Sequence, residues 1–197
     1  MNGRLELTLV RAIGVTLVLT SALLALSACA ARRPSAPLPE VVPFVDLERY
    51  QGNWFEIARF PFRLQEGCYA TTATYTARTE GKVDVLNQCR KGSFDGEVSR
   101  AKATARVVDT TTNAKLKVTF FWPFSGDYWI VDLGKEYDYA VVSVPDRRYL
   151  WILSRTPTMD DALYREIVER LKAGGYEVSR LLATPQVRES GTSQGAR

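Results

Sequence analysis

The chain has 197 residues, enough for one domain, and its 46% hydrophobic and 24% charged residues are ordinary for a globular protein. The net charge is +4, yet the basic residues are scattered with no run of five or six and no recognition motif, so nucleic acid is excluded as a partner. A solvated basic surface, or weak attraction to anionic lipid headgroups, accounts for the charge instead. There is no histidine. That removes Ser-His-Asp and Cys-His catalytic sets, a histidine-ligated haem and most zinc sites, and no catalytic residue, metal or cofactor is expected.

Arg4 and Arg11 precede an uncharged apolar stretch from Ala12 to Leu26, and Leu26-Ser27-Ala28-Cys29 then fits a lipoprotein cleavage box. Residues 1–28 read as a signal peptide, and Cys29 as the lipidated new N-terminus. A transmembrane anchor is the alternative, but the stretch falls short of about 20 spanning residues and no positive stop follows at once. Residues 29–43 carry four prolines and read as an extended, lipidated tether. With one cysteine used by the lipid, Cys68 and Cys89 remain as an even pair in an oxidising compartment. A bridge closing about twenty residues contributes roughly 3 kcal/mol in the chain-entropy model; a free reactive thiol is the competing use.

Phe44 to Tyr50 predicts a short helical turn. In the stretch that follows, alternation places Trp54, Glu56, Ala58 and Phe60 on one side of a strand and Phe55, Ile57 and Arg59 on the other. Both sides are largely apolar, so this strand is covered on both faces. Gly52 lets the backbone turn tightly into it, and a tryptophan at a strand entrance can plug a barrel whose base is closed. Eight strands are predicted, at 53–60, 69–78, 82–89, 98–108, 114–121, 127–133, 138–144 and 148–154, separated by turn signals such as Glu80-Gly81, Thr110–Asn113 and Pro145-Asp146. This is an all-β pattern, an eight-stranded up-and-down antiparallel β-barrel, just wide enough for one small ligand.

Ala101, Ala103, Ala105 and Val107 share one face, and Leu116, Val118 and Phe120 share another. Small residues on an inner wall leave a cavity; facing aromatics that fill the space satisfy the same pattern. After Pro157, Thr158 with Asp161 three residues on resembles a capping box, and Leu163, Tyr164, Ile167, Val168 and Leu171 form a helical stripe that Gly174-Gly175 ends. This one C-terminal α-helix packs on the outside of the barrel. Tyr176 to Ala183 reads as a returning extra strand. The domain covers residues 44–185, and residues 186–197 read as a flexible tail.

Gly52-Asn53-Trp54-Phe55-Glu56-Ile57-Ala58-Arg59 resembles the first signature of the lipocalins. Glu136-Tyr137-Asp138-Tyr139-Ala140 resembles the second, and Leu150 to Pro157 the third, whose Arg155 packs on Trp54. With Phe120-Phe121-Trp122-Pro123-Phe124 between them, the set is similar to the bacterial outer-membrane lipoprotein branch. The resemblance implies a closed-end cluster of Gly52, Trp54, Asp138 and Arg155. Strand parity agrees: if Trp54 marks the closed end, Arg155 ends the last strand there too. Pro61–Gly67, Gly92–Glu97, Trp122–Gly126 and Pro145–Arg148 then stand at the open mouth, with Cys68 and Cys89 near its rim.

The resemblance further implies a monomer or weak homodimer that binds lysophospholipids or fatty acids and stores or moves them in envelope stress. Ala30 after Cys29 points to the outer membrane, on the periplasmic side. Pocket candidates are Trp151, Phe60, Phe120, Val118 and Ala103, with Tyr128, Arg63, Arg147 and Arg148 at the mouth for a phosphate or carboxylate. The aromatic 122–126 loop, with Phe62 and Leu64, either caps the barrel, forms a doorway for an acyl chain or touches a bilayer. Two other classes stay open: a lipid- or isoprenoid-modifying enzyme of this fold, and an envelope scaffold with a filled barrel.

Overall fold

The computed structural model describes residues 37–78 and 81–187. The signal peptide, Cys29, most of the tether, the Glu80 half of the Glu80-Gly81 turn and the tail from residue 188 lie outside the described residues.

Eight strands run antiparallel in chain order: β1 (Gly52–Arg59), β2 (Cys68–Ala77), β3 (Lys82–Lys91), β4 (Val98–Val107), β5 (Lys115–Phe121), β6 (Phe124–Leu133), β7 (Tyr139–Ser143) and β8 (Leu150–Ser154). Each pairs with the next, and β1 pairs with both β8 and β2, so the ring closes without a free edge. The expected up-and-down barrel is the fold. A ninth strand, β9 (Leu182–Ala183), lies against the upper part of β1. The expected 122–126 mouth loop contracts to a tight hairpin, because Phe124 already pairs with Phe121.

The inner and outer surfaces of the barrel each carry an apolar cluster. Inside, Trp54, Tyr50, Tyr75, Val85, Leu116 and Ile130 are among a continuous buried set. Outside, Ile167 and Leu171 of α2 (Asp161–Ala173) pack with Ala58, Val141, Leu150 and Ile152 from β1, β7 and β8. Each such valine, leucine or isoleucine contributes about 1.5–3 kcal/mol when fully buried. The helix starts two positions later than the Thr158 reading: Asp160 is the cap, its Oδ1 accepting from Ala162 N at 2.9 Å and Leu163 N at 3.0 Å. Asp160→Ala is expected to cost about 1 kcal/mol, read as a lower urea midpoint with unchanged slope.

At the base, α1 (Leu47–Tyr50) is capped by Asp46 and buries Tyr50. The preceding segment is not free tether throughout. Val41 and Val42 pack on the inner cluster, and Val42 N donates to Ile130 O. The other end shifts similarly: Gln186, assigned to the tail, donates to the carbonyls of Glu56 and Thr71, both at 2.8 Å.

β1 changes partners partway along. Gly52–Phe55 pair with Tyr75–Thr72, whereas Ala58 and Arg59 pair with Ala183 and Leu182. Thr184 N donates to Ile57 O and Ala70 N to Pro185 O, so residues 182–186 fill the seam where β1 and β2 part. A register shift against β8 falls between Glu56 and Ala58. That bulge breaks the simple alternation. Ala58 and Phe60 turn outward into the helix-facing cluster, while Glu56 and Arg59 share the inner face, opposite Leu153 and Trp151.

Candidate functional site

The closed end is built around Trp54. Its indole is fully buried, and Nε1 donates to Tyr50 O at 2.9 Å. The Arg155 guanidinium lies 3.8 Å from the indole centroid and donates to three carbonyls, those of Tyr137, Asn53 and Arg49. Arg155 N also donates to Asp138 O. Gly52 has φ +92°, and a Cβ there would sit 3.4 Å from an Arg155 nitrogen, so both backbone conformation and space call for glycine. All four closed-end candidates therefore meet at one place.

Above this plug the lumen divides. β2 and β6 stand four places apart in the ring, yet Tyr75 and Tyr128 reach each other across it, the Tyr128 hydroxyl donating to Tyr75 at 2.9 Å. Tyr50 OH joins Tyr128 OH at 2.8 Å from below. Burial pushes Tyr75 up to about 12 and lifts Tyr50 and Tyr128 well above the usual phenol value. All three are neutral hydroxyls at physiological pH. The lower lumen is thus filled, as aromatic compensation for the alanines had it: Ala103 and Ala105 are buried, and the space left beside the tyrosines is about 10 Å³, the room needed by about one water.

The upper lumen is open. Ala101 faces Asn87 in register, on the same side as Ala103, and is exposed. Trp151 shares the inner face with Val142 and donates its Nε1 proton to Gln65 Oε1 at 2.8 Å. Phe62 meets the indole edge-on, with centroids 5.8 Å apart, and meets Tyr149 edge-on as well, at 5.0 Å. At the lip, Phe121, Trp122 and Phe124 are 80%, 89% and 78% exposed, a fully solvated aromatic fingertip.

Glu56 is buried within this upper wall at 3% exposure. It accepts from Gln65 Nε2 at 2.6 Å and from the Thr184 hydroxyl, with Arg59 Nε 3.3 Å away. Burial raises its pKa, against the lowering effect of Thr184, Gln65 and Arg59. With the folded value above the unfolded 4.5, the neutral form carries stability that is complete below about pH 4.5 and is lost as pH rises through the folded value. Glu56→Gln is therefore expected to gain stability relative to the parent with rising pH above 4.5, in paired urea titrations between pH 4 and 8. Parallel curves would show that Glu56 carries no such penalty.

The remaining candidates sort by height. Trp151 stands in the upper lumen, Val118 beside the void, and Ala103 between them. Phe120 is 44% exposed at a register shift that ends the alternation of β5. Phe60 is a correction: the β1 bulge places it outside, under the Arg180 guanidinium at 4.5 Å, among the helix-facing residues. Tyr128 is a second, lying at the floor and not at the mouth. Arg63 is exposed on the mouth turn Arg63–Gln65. Arg147 donates to Gly174 O at the end of α2, outside the lumen. Sequence reasoning missed Tyr50, Tyr75 and Gln65. Tyr75 was available from its alternation with Ala73 and Ala77; nothing local marks Gln65.

Cys68 and Cys89 form a disulfide at the rim, with Cα atoms 5.4 Å apart. The left-handed Ala70 and a register shift between Tyr69 and Thr72 set Cys68 opposite Lys91, so the bridge runs diagonally.

The family model for the lipocalin-like domain matches residues 45–186. Outer membrane lipoprotein Blc of Escherichia coli K12 is 40% identical over 156 residues, covering 77% of this chain and 88% of its own. Temperature-induced lipocalin-1 of Arabidopsis thaliana is 38% identical over 159 residues, covering 75% and 82%. Among solved structures, insecticyanin of the tobacco hornworm Manduca sexta superposes with a TM-score of 0.61 at 20% identity, over 77% of this chain and 87% of its own. The barrel, its indole plug under a guanidinium and these matches coincide over the same residues: the chain belongs to the lipocalin family.

Proposed function

We propose that the protein binds and carries lipids, lysophospholipids or fatty acids, at the bacterial outer membrane. The observation that carries this reading is the open upper lumen, where Ala101 lies on the inner face of β4 yet stays exposed, with the aromatic fingertip exposed at the lip. Each buried CH₂ contributes roughly 0.8 kcal/mol, so an acyl chain with about half its length covered reaches micromolar affinity after ordering costs. Exposed aromatics at the lip suit uptake from a lipid surface. Arg63, on the mouth turn, is placed to meet a phosphate or carboxylate.

Location rests on the cleavage box ending at Cys29, with residues 1–28 removed and residues 29–43 joining a lipidated N-terminus to the barrel. The name outer membrane lipoprotein, borne by the Escherichia coli relative, supports it. The protein acts as a monomer or weak homodimer and as a binder, not a catalyst, since among the described residues no nucleophile paired with a base stands in the lumen. Organic extraction of the purified protein followed by mass spectrometry tests the reading. Recovery of stoichiometric acyl lipid is expected. No extracted lipid, together with no saturable binding of lysophosphatidylcholine, would leave the filled-barrel scaffold.

A further inference from the structure

A chain entering the mouth meets on the barrel axis not hydrocarbon but three hydroxyls, those of Tyr75, Tyr128 and Tyr50. Three hydroxyl protons share two hydrogen bonds, and no other acceptor for them appears among the described residues. One proton is therefore left over, at one end of the row. Tyr50 and Tyr75 are more than nine-tenths buried, and the void of about 10 Å³ lies against all three rings, with Gln51 also on its wall. An unmatched buried donor is costly, and the vacancy beside it is large enough for one oxygen.

We propose that this floor is a subsite for an oxygen-bearing tip, a hydroxyl, ketone or aldehyde, of an elongated apolar ligand inserted from the mouth. The inference rests on the lipid-binding reading and specifies which end of the ligand is read, and how. The tip oxygen accepts the spare tyrosine proton. A neutral tip fits better than a carboxylate. The hydroxyls are themselves neutral donors, and Glu56 bears on Tyr75 closely enough to raise its pKa further, so its charge opposes a second anion there. Arg155 pulls Tyr50 the other way, but by less than burial raises it. A methyl tip leaves the spare proton unmatched, and rejection of a ligand that lacks the group a buried site is built to bond is the stronger form of discrimination.

The test uses the full-length purified protein and two probes, palmitoyl lysophosphatidylcholine and its 16-hydroxypalmitoyl counterpart. The phosphocholine cannot be buried, so in both the chain end enters. Affinities are read by tryptophan fluorescence below the micelle concentration. The readout is the ratio of hydroxyl-tipped to methyl-tipped affinity, compared between wild type, Tyr75→Phe and Tyr128→Phe, which keep ring volume while removing one hydroxyl each. The ratio is expected to fall about tenfold in at least one variant, chiefly through weaker binding of the hydroxyl-tipped probe. A ratio unchanged within twofold across all three proteins overturns the subsite while leaving lipid binding standing. Failure of both probes to bind wild type overturns the lipid-binding reading and the subsite with it.

Discussion

Trp54→Ala is expected to remove about 3–5 kcal/mol of stability, the range for truncating a fully buried large aromatic. The indole fills the base of the lumen against Tyr50, with centroids 5.0 Å apart, and it underlies the Arg155 guanidinium. Deleting it opens a void at a site pinned by backbone: Arg155 holds the carbonyls of Arg49, Asn53 and Tyr137, so the surrounding strands cannot close in. Loss of the cation–π contact adds about 0.5–1 kcal/mol. For a domain whose whole stability is about 5–15 kcal/mol, the variant should populate the unfolded state in mild urea. Arg155→Lys keeps the charge but not the planar fork, and should cost less. In a double-mutant cycle of Trp54→Ala with Arg155→Ala, the sum of single effects should exceed the double by about 1 kcal/mol. A Trp54→Ala loss under about 1 kcal/mol would mean that the base is held by something else.

Replacing both rim cysteines by alanine is expected to cost about 3 kcal/mol, as loop closure predicts for a sequence separation of 21. Cys68 and Cys89 are both buried, so alanine leaves little polar imbalance and the loss reads mainly as released chain entropy. Urea unfolding of the double variant should coincide with that of the reduced parent. The effect should also be local. β2 near Cys68 is bulged, and upper β1 pairs there with β9 and not with β2, so the bridge ties down the least laddered corner of the barrel. Amide exchange should quicken around residues 67–72 and 88–92 before it does so in β7 or β8. Uniform exchange changes would show that the bridge acts only on the unfolded chain.

Much of the barrel was legible because its determinants are local. The turn residues mark the hairpins, and the Gly52-Asn53-Trp54 entrance together with Arg155 specifies the closed end. Alternation correctly put Val118 and Ala103 indoors. What escaped was set by distant partners. Nothing near Ile57 announces a bulge. It arises where β1 leaves β2 for the C-terminal segment, and it sends Phe60 outside and brings Arg59 in beside Glu56. Depth was equally hidden, since alternation tells in from out but not top from bottom, and so Tyr128 was read at the mouth when it stands at the floor. How much space the alanine wall leaves was hidden for the same reason. Its emptiness depends on which side chains reach over from the opposite strands, and Tyr75 and Tyr128 do so below Ala101 but not beside it.

The seam filled by residues 182–186 also has a bearing on biosynthesis. The carbonyl of Ile57 and the amide of Ala70 find their partners in Thr184 and Pro185, which leave the ribosome after all eight barrel strands. Strands β1 through β8 can assemble during emergence, but the wall stays breached until that stretch arrives. A chain ending before Leu182 would present an unsatisfied strand edge to any neighbour, and self-association by edge pairing, not simple loss of an ornament, is what such a truncation invites.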